Sequence, residues 1–208
     1  MRKDFFDEPC EFGIYPEVGE VSVRLFFDQE KLRNRARRLI QERLRNFVYA
    51  YDETPLSKKI GELLVKQRAT LSVAESCTGG LLSSEITRNS GSSQYYRGGI
   101  ICYSNKVKES GLGVSASLLR QKGAVSKEVA RDMARGARKK FNSSYALSIT
   151  GIAGPSGGST KKPVGFVYVG VGTPKKIFVK AHCFTGDRIQ IQKKAIKKAL
   201  ELLWRHIR

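Results

Sequence analysis

The segment Ala74-Glu75-Ser76-Cys77-Thr78-Gly79-Gly80 directly follows the short apolar run Leu71-Ser72-Val73. It places a hydroxyl, a thiol and a glycine pair at the end of an expected strand. Such a turn presents a nucleophile on sharply bent backbone while N–H groups at the next helix's start face an anion. A serine hydroxyl is a weak nucleophile and needs a base within hydrogen-bond reach. The two histidines suit that task poorly, since His182 falls mid-strand and His206 near the C-terminus. Lys108, in Tyr103-Ser104-Asn105-Lys106-Val107-Lys108, can serve if burial disfavours its charged form. Tyr103 and Asn105 leave the same strand end, where they are placed to orient groups or relay a proton. Spacing alone leaves a bland alternative, with Ser76 a helix cap and Lys108 a surface lysine. Cys77 is a rival and intrinsically stronger nucleophile, but the neighbour of a cleft-facing serine points toward the core.

A second glycine-rich loop runs Gly151-Ile152-Ala153-Gly154-Pro155-Ser156-Gly157-Gly158, delivered by the expected strand Tyr145–Ile149. Its N–H groups can approach a phosphate or oxyanion closely. Neither glycine segment matches a dinucleotide fingerprint or a P-loop, because Thr78-Gly79-Gly80 lacks the Gly-Lys-Ser/Thr ending. Gly186-Asp187-Arg188 opens the last helix, with Asp187 as its cap and Arg188 offering a fork of donors to a phosphate. The bland alternative pairs Arg188 with a carboxylate such as Glu75, which is also a candidate for positioning the lysine.

The elements that must hold these residues follow from pattern. Thr54 reads as the cap of a helix with Pro55 in its first turn, running to about Gln67. A strand over Thr70–Ala74, a helix over 79–88 and a strand over Gly98–Tyr103 come next. Ser126 caps a helix over Lys127–Lys140. Val164–Gly172 and Lys175–Phe184 read as paired strands, and Arg188–Ile207 as an amphipathic helix. Alternating strands and helices imply an α/β fold, a layered α/β/α sandwich around a mixed sheet. Upstream, residues 1–52 read as a small α/β subdomain: a turn over Tyr15–Gly19, a strand over Val21–Phe27, a helix over 29–46 and a second strand over Phe47–Tyr51. The larger domain is expected over 53–208.

Composition narrows the function classes. No apolar run approaches the roughly 18 residues that span a membrane, and Met1–Glu8 mixes both charge signs with no apolar signal region after it. A cytoplasmic protein without membrane partners is expected. Cys10, Cys77, Cys102 and Cys183 are widely spaced, and with only two histidines no metal-ligand spacing emerges, so no metal is expected. The formal charge of +19 is uneven. Residues 1–52 hold ten basic and ten acidic side chains, and residues 53–208 hold twenty-eight basic and nine acidic. The basic residues fall mostly on polar helix faces without interleaved aromatics. That pattern reads as a solvated face more than as a nucleic-acid surface.

The motifs together carry a family resemblance. Ala74–Gly80, Tyr103-Ser104-Asn105, Gly123-Ala124-Val125-Ser126, Gly151–Pro155, Lys162-Pro163-Val164-Gly165 and Gly186-Asp187-Arg188 occur in this order. Over about residues 55–206 the chain resembles the C-terminal domain of the CinA (competence/damage-inducible) family, the nicotinamide-nucleotide amidase domain. The resemblance implies hydrolysis of the carboxamide of nicotinamide mononucleotide to nicotinic acid mononucleotide and ammonia, a step of pyridine nucleotide salvage, with no cofactor. It implies Ser76 as nucleophile, Lys108 as general base and Tyr103 nearby. Thr78, Gly79 and Gly80 would supply oxyanion donors. Gly151, Gly154 and Arg188 would hold the nucleotide, with Arg188 on its phosphate, and Asn105 and Thr150 would line the site. A homodimer is also implied. Tyr15–Val21 and the following helix more weakly resemble the KH-like subdomain of full-length members, although residues 1–52 contain no Gly-x-x-Gly clamp. The molybdopterin-binding-like domain of full-length members has no counterpart in the sequence, which reads as a short form or a fragment. The pyrophosphatase activity associated with that domain is not expected. The alternative is a catalytically silent nucleotide-binding or nucleic-acid-binding protein.

Overall fold

Apolar residues alternate along Phe12, Ile14, Val21, Val23 and Leu25, the period of a strand with one apolar face. They form a hairpin in which β1 (Glu11–Glu17) pairs antiparallel with β2 (Glu20–Phe26), Ile14 standing opposite Val23. Gly19, at φ 81, supplies the left-handed residue of the turn. The helix α1 (Glu30–Leu44) follows. The turn thus lies at Val18–Gly19, and Tyr15–Glu17 belongs to a strand the sequence did not announce. Phe47–Tyr51 is not a strand: those residues form turn and irregular backbone. The computed structural model describes residues 10–208, so the charge-mixed stretch Met1–Glu8 lies outside the described residues. Contacts divide the chain into two compact units, Met1–Thr54 and Pro55–Arg208.

The second unit begins with α2 (Leu56–Lys66), capped by backbone geometry at Pro55 and not by the Thr54 side chain. Thr54 instead donates its N–H to Asp52 Oδ1 at 2.9 Å. The chain continues through β3 (Leu71–Glu75), α3 (Leu81–Thr87), β4 (Tyr96–Ile101), α4 (Asn105–Leu112), α5 (Ala116–Lys122) and α6 (Lys127–Lys140). It closes with β5 (Tyr145–Gly151), β6 (Phe166–Gly172), β7 (Ile177–Cys183) and α7 (Arg188–Ile207). The five-stranded sheet has the order β4-β3-β5-β6-β7, with β4, β3 and β5 parallel and β6 and β7 antiparallel.

α6 packs on β3, β5 and β6 and carries α4 and α5 on that side, while α2, α3 and α7 pack together on the other. This is the mixed-sheet α/β/α sandwich the pattern implies. β3, buried along its whole length, lies between two parallel neighbours, which is why it reads as an apolar run and not as an alternation. Two buried hydroxyls of the central strands are satisfied nearby: Ser72 Oγ on β3 lies 2.7 Å from Ser143 Oγ, and Ser148 Oγ on β5 donates to Ala130 O at 2.6 Å. β3 leads into α3 on one face and β4 leads into α4 on the other. Their carboxyl ends therefore flank a switch-point crevice, where open α/β sheets place their ligands.

Candidate active site

Ser76 stands one residue past the end of β3, its N–H held by Ile149 O of β5 at 2.9 Å. It is 8% exposed, and Lys108, one turn into α4, is 1% exposed. Ser104 caps that helix by accepting from Val107 N, which fixes the lysine's direction. Lys108 Nζ lies 3.1 Å from Ser76 Oγ, 2.7 Å from Cys102 O and 3.2 Å from Tyr103 O. Burial lowers the lysine's pKa from its ordinary 10.5. A neutral amine has two N–H donors and one lone pair. The two carbonyls can take both donors, and the lone pair then faces Ser76 Oγ, as a general base requires.

Among the described residues no carboxylate opposes that neutral form from beside the pair. Glu75, wholly buried, uses both oxygens on the start of α3: Oε2 accepts from Gly80 N (3.1 Å) and Leu82 N (3.0 Å), and Oε1 from Ser83 N (2.8 Å) and Ser83 Oγ (2.7 Å). It is a helix-cap carboxylate, neither the partner of Arg188 nor a support for the lysine. Its position also changes the reading of the turn. Gly80 N is spent on Glu75 and Gly79 N on Ser76 O (3.2 Å), so these two N–H groups are not open oxyanion donors. The Thr78 side chain is buried, and its Oγ1 has no hydrogen-bond partner among the described residues. Above Gly79, at φ 61, a Cβ would meet nothing within 4 Å, so the turn opens onto free space beside Ser76.

Cys77 is buried and its thiol is pushed up to about 12 by that burial, which removes it as a thiolate nucleophile at neutral pH. Gln192 of α7 donates to Cys77 O at 2.7 Å and pins the turn from the helix layer that also holds α3, a support that sequence spacing does not reveal. Cys102 is raised to about 11, again by burial.

Arg188 joins three motifs. Its Nη1 donates to Gly154 O at 2.7 Å and its Nη2 to the Tyr103 hydroxyl at 3.4 Å. Tyr103 therefore meets Lys108 through its carbonyl; the residue is 64% exposed and its hydroxyl accepts from the arginine. Asn105 is the exposed first residue of α4. Thr150 is buried and its Oγ1 donates to Ala124 O at 2.9 Å, so it fastens β5 to the segment before α6 and is not presented to the crevice. Gly151 and Gly154 are glycines because of close approach: a Cβ on Gly151 would stand 2.8 Å from Phe166 O, and one on Gly154 would run into Val164. Lys162, also missed as a site support, donates to Val125 O at 2.6 Å and ties the glycine loop to the start of α6.

The model of the CinA C-terminal domain matches residues 53–207. The chain is 40% identical over 201 residues to the CinA-like protein of Desulfotalea psychrophila, covering 94% of this chain and 49% of that one. Against the CinA-like protein of Geotalea daltonii it is 43% identical over 197 residues, 93% of this chain and 48% of that one. The chain thus spans about half the length of the curated relatives it matches. Among solved structures, the competence/damage inducible protein CihA of Agrobacterium tumefaciens superposes with a TM-score of 0.70 at 35% identity, over 72% of this chain and 92% of that one. The CinA superfamily protein ECK1530/EC0983 of Escherichia coli gives 0.72 at 29% identity, over 78% and 97%. With its motifs, its sheet order and these matches, the chain belongs to the CinA family through the C-terminal domain.

Proposed function

We propose that the chain is a nicotinamide-nucleotide amidase, which hydrolyses the carboxamide of nicotinamide mononucleotide to nicotinic acid mononucleotide and ammonia. The observation that carries this reading is the buried Lys108 amine, 3.1 Å from Ser76 Oγ and anchored by two backbone carbonyls. The substrate comes from the family resemblance, and the site suits its two ends. A pyridinium ring withdraws electrons from its carboxamide and makes the carbonyl carbon a better electrophile. Arg188, exposed and held by Gly154 O and the Tyr103 hydroxyl, has further N–H donors of its guanidinium beyond those two bonds for a phosphate.

In this mechanism Lys108 takes the Ser76 proton as Oγ bonds to the carboxamide carbon. The carbonyls of Cys102 and Tyr103 stabilise the resulting ammonium. The tetrahedral intermediate collapses as the ammonium returns its proton to the departing nitrogen, which leaves as ammonia. Water then adds to the ester with Lys108 again as base, the Ser76 oxygen leaves with the proton, and the free acid is released. With Gly79 N and Gly80 N already engaged, this mechanism assigns the oxyanion to the buried Thr78 hydroxyl, which has no partner among the described residues. The test is incubation of the purified chain with nicotinamide mononucleotide. Equimolar ammonia and nicotinic acid mononucleotide are expected; no product from folded protein at millimolar substrate would overturn the reading.

A further inference from the structure

The helices α2, α6 and α7 end together, away from Ser76. β3 separates Ser76 from its own first residue by about 16 Å of strand, and α6 runs about 21 Å from the glycine-loop end to Lys140. Several contacts gather the far segments into one face. Gln67, after α2, donates to Ile207 O at the end of α7. Phe178 lies 4.3 Å from the His206 ring. Arg138 of α6 donates to Thr173 O in the turn between β6 and β7. Tyr145 N donates to Thr70 O at 2.8 Å.

These segments, 66–72, 138–145, 173–178 and 204–208, contain no aspartate or glutamate. They present Lys66, Arg68, Lys139, Lys140, Lys175 and Lys176, all exposed. Cations at helix C-termini complement the macrodipole, which accounts for Lys139 and Lys140. It does not account for Lys175 and Lys176 in a strand-to-strand turn, nor for Arg68, held in left-handed backbone at φ 52.

We infer that this face binds the phosphate backbone of duplex nucleic acid without sequence preference. The cations come from three separate elements and so spread over a surface wide enough to meet several phosphates, which repeat every ~1.7 Å of duplex axis. No large apolar side chain of these four segments is exposed, so the face has neither the wedge of a membrane-surface helix nor the stacking platform of a single-strand binder.

The test is duplex binding by fluorescence anisotropy across a salt series, on the full chain. Lys139→Gln, Lys140→Gln, Lys175→Gln and Lys176→Gln together are compared with Lys31→Gln, Lys58→Gln, Lys127→Gln and Lys193→Gln, which remove the same charge elsewhere. The first set should weaken binding at 100 mM salt more than about tenfold and reduce the slope of log K against log salt by about 3 to 4. The second set should leave the slope nearly intact, and amide hydrolysis should be unchanged in the first. If the first set fails to fold by thermal melt, the pair Lys139→Gln, Lys175→Gln should reduce the slope by about 2. Equal effects of the two sets, no salt-dependent binding, or equal competition by polyglutamate would each overturn the inference.

Discussion

Gly136 governs how closely α4 approaches α6, and through that approach the placement of Lys108. A Cβ built on Gly136 would lie inside contact distance of Leu112 O and 2.9 Å from both the carbonyl carbon and Cβ of that residue. Leu112 is the last residue of α4 and sits one turn beyond Lys108, on the same helix face. In a typical helix interior, glycine to alanine stabilises by roughly 1 kcal/mol. Here α4 must move by about 1 Å to relieve the backbone clash, and overpacking of this kind costs about 1–3 kcal/mol. Gly136→Ala should therefore be neutral to about 2 kcal/mol destabilised, a drop in Tm of at most roughly 8 °C. A displacement near 1 Å also breaks the Lys108–Ser76 contact, which should lower kcat about 100-fold, or about 2.7 kcal/mol in barrier. Gly111→Ala is the matched control on α4, where the new Cβ would meet Ile100 and Val107 at an ordinary 3.6 Å. That variant should gain up to about 1 kcal/mol and keep its turnover. Thermal melts and ammonia release measure both effects. A Gly136→Ala protein that is more stable and fully active would refute the reasoning.

Burial lowers the pKa of Lys108 below 10.5, and the base works only when neutral, so kcat/KM for nicotinamide mononucleotide should fall as pH drops through that pKa; a flat profile on the acid side would contradict it. Glu75→Ala strands the N–H groups of Gly80, Leu82 and Ser83, which should cost about 2–4 kcal/mol in a denaturant titration. Arg188→Met should reduce kcat/KM about 10- to 100-fold for the mononucleotide and leave the phosphate-free riboside unchanged; equal loss on both would remove the arginine from phosphate recognition.

The boundaries of α6 and α7 were legible because each starts at a side-chain cap, Ser126 or Asp187, and carries a clear apolar stripe. α4 and α5 were not announced, although Ser104 and Ser115 cap them and Gly113 and Gly123 end them, because helices of eight and seven residues are too short for a period to stand out. Phe47–Tyr51 shows the opposite failure: four strand-formers around Ala50 form turn and irregular backbone, where tertiary context overrides local propensity. In the site, Ser76 and Lys108 could be matched because strand ends converge at a switch point. The hydrogen bonds of Thr150 to Ala124 and of the Tyr103 hydroxyl to Arg188 join residues that only the tertiary fold brings together, so spacing carries no trace of them. Glu75 meets the start of α3 within eight residues, but that capping depends on the sharp turn at Gly79 and Gly80.

The central claim is that Ser76 attacks and Lys108 removes its proton. It is tested most directly by ammonia release from saturating nicotinamide mononucleotide, compared for the wild type, Ser76→Ala and Lys108→Met, with substrate binding followed by calorimetry. Both variants should bind the nucleotide about as tightly as the wild type, with no turnover in Ser76→Ala and a loss of about 10²–10⁴ in Lys108→Met. Wild-type turnover in either variant would contradict the claim.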